Sequence, residues 1–209
     1  MAKTSGSNMK PPKSGGLRAG DSNYIGKIGK TESLVSIKNP QVYKSVKESI
    51  SRYHSVLGVR QKDVKIATLQ PGVGGVHISD GGVSKQVVLN KSVFNGKNTT
   101  KKSVEEWAST GYKYGYLTKT NKPVAHIITH ELAHATWNNK LSSPNARAAS
   151  KSINNLFDKW NADKKKKGYG SYAQTNVNEF WAEVSTKAVH GKSDRYTKSV
   201  KSIIKKYKL

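Results

Sequence analysis

His130-Glu131-Leu132-Ala133-His134 is a short stretch in which three side chains can do chemistry together. On a helix, positions i and i+4 share a face, so the two imidazoles can point at one metal ion. Glu131 stands beside the first of them, where its carboxylate can take a proton from water held on that ion. This HExxH arrangement supplies two zinc ligands and a general base. The reaction it suits is attack of an activated water on a carbonyl. A catalytic Zn²⁺ takes three protein ligands and keeps one position open. The chain has no cysteine, so the third ligand is His, Asp or Glu. His126 lies one turn before His130 and is a rival. Three successive i, i+4 histidines on a straight helix cannot all meet one ion in tetrahedral geometry, however.

The third ligand is sought downstream, in Tyr172-Ala173-Gln174-Thr175-Asn176-Val177-Asn178-Glu179-Phe180-Trp181-Ala182-Glu183. Asn176 or Asn178 can cap a helix over 177–190. Glu179 and Glu183 again stand at i and i+4, while Phe180, Trp181 and Val184 supply an apolar face. Two acids on a partly apolar helix are costly to bury unless they meet a cation or donors. Glu179 is therefore assigned to the metal. Glu183 is placed behind it, where it can orient a ligand histidine through the free ring nitrogen.

The ordered set His130-Glu131-x-x-His134, Tyr172, Glu179 and Glu183 resembles the zinc-peptidase domain of the anthrax-lethal-factor type, which includes the clostridial Pro-Pro endopeptidases. The resemblance covers about residues 65–190. It implies a zincin fold, a peptide substrate, and a role for Tyr172 near the open zinc position, where it stabilises the oxyanion. A phenol suits that role as a donor aimed at developing charge. A generic thermolysin-like reading, with Asn178-Glu179-x-x-Ala182-Glu183, gives the same third ligand.

These residues need elements to hold them. The predicted class is α+β: one zincin-like domain, a small sheet, the HExxH helix and a second helix carrying Glu179. Pro123 suits a first turn and Asn138-Asn139 a stop, predicting a helix over 123–138 with Ile127, Leu132 and Ala135 inward. Val42, Val46, Ile50, Tyr53 and Leu57 recur at helical spacing, with Gly58 as the stop. Val64 to Leu69, Val76 to Ser79 and Val83 to Asn90 read as strands, with Gly74-Gly75 as a turn and Asp80-Gly81-Gly82 as a hairpin turn. That hairpin is the candidate rail for an extended substrate. His77, alternating with apolar neighbours, reads as structural. Residues 101–110 read as a short helix, and Gly111 to Tyr116 as an aromatic loop. Ser142-Ser143-Pro144 opens a helix over 145–163, and Lys164 to Lys167 form a basic loop. His190 is expected at the C-terminal carbonyls of the Glu179 helix, and His54 at the surface or in the core.

Charge bears on partners. With 37 basic against 13 acidic residues, the net charge is +24, and such a chain attracts polyanions. Residues 1–30 read as a basic flexible tail, 31–190 as the zincin-like metallopeptidase domain, and 191–209 as a basic amphipathic helix that can dock on the core, an acidic partner or an anionic surface. No zinc finger, RNA-recognition signature or helix-turn-helix is found, so composition supports nonspecific nucleic-acid contact through the basic tails and no more. No apolar run marks a signal peptide or a membrane span. A cytoplasmic or virion location is therefore expected. A zinc endopeptidase is the first functional expectation. The alternatives are a structural component of a phage virion or other large assembly built on a zincin fold, and an intracellular toxin-like effector.

Overall fold

The structure, a computed structural model, describes residues 28–59, 63–80, 83–139, 144–163 and 168–209. It is α+β, with a four-stranded mixed sheet and seven helices among the described residues. The tail before residue 28, the Gly81-Gly82 turn, the Ser142-Ser143 helix start and the Lys164 to Lys167 loop lie outside the described residues.

The strands are β1 (Glu32–Ser33), β2 (Val64–Ala67), β3 (Gly75–Asp80) and β4 (Val83–Asn90). The sheet order is β1-β2-β4-β3. β2 and β4 are parallel, and the two outer pairings are antiparallel. β1 has no signal in the sequence: two residues carry no period, and only pairing with Lys65 and Ile66 makes them a strand. β2 ends at Ala67 rather than Leu69. There the buried Asn90 side chain takes over the backbone groups, accepting from Leu69 N–H and donating to the Gln70 and Val73 carbonyls.

The helices are α1 (Pro40–Leu57), α2 (Lys91–Phe94), α3 (Lys101–Lys113), α4 (Pro123–Asn139), α5 (Ala146–Ala162), α6 (Val177–His190) and α7 (Arg195–Tyr207). Asn39 caps α1 and Gly58, at φ 72°, ends it in the left-handed region. α3 runs three residues past the expected stop at 110. Its N-terminus is fixed by a Thr100/Ser103 capping box, and Gly111 stays helical under Leu117, whose side chain a Cβ there would meet at 2.6 Å.

α4 and α6 are the central layer. α4 packs on β3 and β4 on one side and on α1, α3 and α6 elsewhere. Every residue from Val124 to Asn138 is buried except Glu131. α6 is buried without interruption from Glu179 to His190. The Trp181 indole joins the two helices, donating to the Ala133 carbonyl at 3.0 Å and lying against Trp137. α7 is part of the same core. It sets Tyr196, Val200, Ile204 and Tyr207 against α5 and α6, so of the destinations open to a basic amphipathic helix it takes the core.

Trp181→Ala removes a fully buried ring and the indole bond that ties α6 to the Ala133 carbonyl of α4. It is expected to cost about 3–5 kcal/mol, read as a lowered denaturant midpoint.

Candidate metal centre

The HExxH helix presents its two histidines to α6. His130 Nε2 and His134 Nε2 stand 3.1 Å apart, and Glu179 Oε2 lies 3.0 Å from the first and 3.4 Å from the second. All three side chains are buried. Tetrahedral bonds of about 2.0–2.2 Å place ligand atoms about 3.3–3.6 Å apart, so the triangle has close to the dimensions of a zinc site. Among the described residues, Glu179 Oε1 and His134 Nδ1 are buried without a hydrogen-bond partner. These groups could hold a metal ion.

Local sequence places Glu179. Asn176 caps α6, accepting from the N–H groups of Asn178 and Glu179. Glu179 thus occupies the first turn, where the helix dipole favours a carboxylate. Burial opposes its ionisation, but the charges and hydrogen bonds of His134 and His130 bring its pKa down to about 2.

One turn further on, Glu183 is fully buried and fully bonded. Its Oε1 meets His130 Nδ1 at 2.9 Å and His126 Nε2 at 3.0 Å. Its Oε2 accepts the Thr118 backbone N–H at 2.6 Å. Burial again opposes the charge, and His126 and His130 overcome it, holding the carboxyl well below the usual range. With Nδ1 turned to Glu183, His130 keeps Nε2 for the metal. His126, the rival ligand, meets the same Glu183 oxygen as His130, and its ring stacks on His130 and lies edge-on to Tyr112.

Glu131 reaches from α4 toward β3. A Cβ on Gly75 would stand 2.9 Å from its Cγ, and one on Gly74 would stand 2.7 Å from Trp107. These two glycines, expected to form a turn, are where the edge strand closes onto α3 and α4. The Glu131 carboxylate accepts the His77 backbone N–H. Burial raises its pKa, His130 and His134 draw it down, and the charge of Glu179 adds to the rise. The His77 ring, read as structural, bonds Ser84 at 3.0 Å. Burial and the neighbouring His134 push its pKa down to about 3, so it is neutral.

Tyr172 sits in a 3-10 turn, Ser171–Gln174. Its ring stacks on His130 at 5.6 Å and on Tyr116 at 4.7 Å. Burial, then the charges of Glu179, Tyr116 and Glu131, raise its pKa well above the ordinary phenol value, so the hydroxyl keeps its proton. The turn is pinned from two sides. Ser171 and Tyr172 N–H donate to the Gly115 and Tyr116 carbonyls. A Cβ on Gly170 would fall 2.2 Å from the Tyr116 oxygen, so only glycine fits. Just before the turn, the Tyr169 hydroxyl donates to Asp194 at 2.7 Å, and Lys187 meets the same carboxylate at 2.9 Å.

The remaining histidines lie apart from the triangle. His190 does not serve the α6 carbonyls. The Thr129 hydroxyl donates to Ala125 O and so accepts from His190 Nε2 at 2.9 Å, tying the end of α6 to α4. Burial and nearby Arg52 lower the His190 pKa to about 4. His54 is half-buried on α1. Sequence reasoning missed the roles of Thr118, Tyr116 and Gly170. The pairing of segments 115–118 and 170–172 has no periodic signature; only the Gly-rich, aromatic composition hinted at it.

Comparison of the chain with protein-family models, curated proteins and solved structures finds no match.

Burial works against a charge on metal-free His130, but hydrogen bonds and charges from Glu179 and Glu183 raise its pKa well above the ordinary value. Its ring is therefore protonated at neutral pH, and an entering metal ion displaces that proton. Metal uptake is expected to release protons and tighten as pH rises, measured by calorimetry in two buffers of different ionisation enthalpy. Glu183→Gln is expected to weaken zinc binding by about 10–100-fold, read by competition with a chromogenic chelator.

Proposed function

We propose that the chain is a zinc-dependent endopeptidase of the zincin type, similar in its residue pattern to the lethal-factor group. One observation carries the reading. The ligand atoms of His130, His134 and Glu179 converge within 3.4 Å, and Glu131, the one residue between Val124 and Asn138 that is not buried, stands beside them. The donor set, two imidazoles and a carboxylate with no thiolate, is that of a catalytic rather than a structural zinc. When bound, zinc would acidify a water and polarise the scissile carbonyl.

The chain's own residues supply the rest. Glu131 takes the proton of the attacking water, and its raised pKa suits a group that must then give that proton up. The same carboxyl returns it to the amine nitrogen as the C–N bond breaks. Tyr172 donates its phenolic proton to the oxygen on which negative charge develops. Its turn is held at a fixed place by Gly170 and by the Tyr116 carbonyl, so the donor is oriented before substrate arrives. β3 is an edge strand among the described residues, and its Gly75 and His77 face looks onto α4. An extended peptide can pair with that edge and lay a carbonyl beside Glu131.

The test is cleavage of a proteome-derived peptide library by zinc-loaded protein, read by mass spectrometry. Glu131→Gln is expected to retain zinc and lose about 10²–10⁴ in kcat/KM. Tyr172→Phe is expected to lose about 10²–10³, mainly in kcat. A folded, zinc-loaded protein that cuts nothing beyond the Glu131→Gln control refutes the peptidase reading.

A further inference from the structure

α7 differs from α1 and α3 in carrying no acid of its own. On α1, Lys44 pairs with Glu48 at 3.9 Å. On α3, Lys101 pairs with Glu105 at 3.9 Å and Lys102 with Glu106 at 3.8 Å. Each pair spans one turn, the spacing that offsets charge along a helix. Residues 195–209 hold Arg195 and five lysines and contain no Asp or Glu. Arg195 is taken by Asp163, and Lys206 lies over the Tyr207 ring. That leaves Lys198, Lys201 and Lys205 along one exposed stripe, with exposed Lys208 just past the helix end. Among the described residues none of these four has a carboxylate within 4.0 Å. Like charges a turn apart repel, so the row stores unfavourable energy that an anionic partner would relieve.

We propose that this lysine row is a docking surface for the phosphate backbone of a nucleic acid. From Lys198 to Lys208 the helix rises about 15 Å, and one strand of a duplex places about four phosphates over that length. The row's undivided positive charge complements this dense negative charge. A membrane is a poorer match. The apolar stripe of α7 is already spent on the core, leaving nothing to insert between lipids as an interfacial helix does. A protein partner is poorer too, because the exposed face offers Ser202 among lysines and no apolar anchor for the centre of an interface. Contact of this kind is blind to base sequence. It is independent of the catalytic proposal.

The experiment uses the full chain and a labelled DNA duplex of arbitrary sequence, with binding followed by fluorescence anisotropy over a salt series. Two charge-matched variants are compared: K198Q/K201Q/K205Q/K208Q on α7, and K44Q/K47Q/K101Q/K102Q on α1 and α3. Circular dichroism checks that both fold, and Lys201→Gln alone serves should the α7 quadruple variant not. The α7 variant is expected to lower the slope of log K against log salt by about 3–4, the single variant by about 1, and the control by less than about 1. Equal losses in the two quadruple variants would mean that net charge alone attracts the duplex, and would overturn the proposal. Binding to phosphatidylserine vesicles with none to the duplex would overturn it as well.

Discussion

A buried, ionised carboxylate must be surrounded by donors, and Glu183 is the place where this fold meets that demand. The charge would be prohibitive alone. Three donors from two places answer it: His126 and His130 on α4, and the Thr118 backbone in the connection between α3 and α4. Satisfying them fixes how α6 lies along α4. Because Glu179 and His134 stand one turn from Glu183 and His130, seating the first rung of contacts brings the second into register. The geometry at the candidate metal site is thus inherited from a hydrogen-bonded rung behind it.

The burial pattern has a related logic. From Val124 to Asn138, α4 is covered on all sides except at Glu131. A helix enclosed in this way has nearly dry surroundings, which strengthen every electrostatic interaction among its side chains. Glu131 itself lies against β3, where two glycines let strand and helix approach closely. The polar residues along α4 are therefore sorted by depth. His126 is innermost, where with His130 and Glu183 it forms a second group that could hold a metal ion, His130 and His134 come next, and Glu131 is the least buried.

Much of this is legible in the sequence. The spans of α1, α4 and α6 follow from apolar spacing, with Gly58, Pro123 and Asn176 as punctuation, while the Asn39 cap of α1 does not stand out in the sequence. The HExxH pair and Glu179 follow from the i, i+4 rule and the absence of cysteine. What escapes is nonlocal. β1 exists only through its neighbour, and α3 continues past Gly111 because Leu117 folds back over it. Gly74 and Gly75 read as a turn because glycine signals backbone freedom and close approach equally well. His126 reads only as a rival ligand, since a sequence shows which residues share a face but not that one carboxylate oxygen on α6 will take two of them.

β3 presents an open ladder edge among the described residues, and open edges invite unwanted pairing between copies of a chain. Here the strand carries its own restraint. Its register with β4 shifts between Ile78 and Ser79, so regular geometry runs only from Gly75 to Ile78. The extra residue, Lys85, lies on β4, and a bulge there sharpens the local twist of the pair. A short extended segment still finds a few matched backbone groups, while a second long strand soon loses alignment. The irregularity thus acts as a length filter, separating brief visitors from partners that would stay.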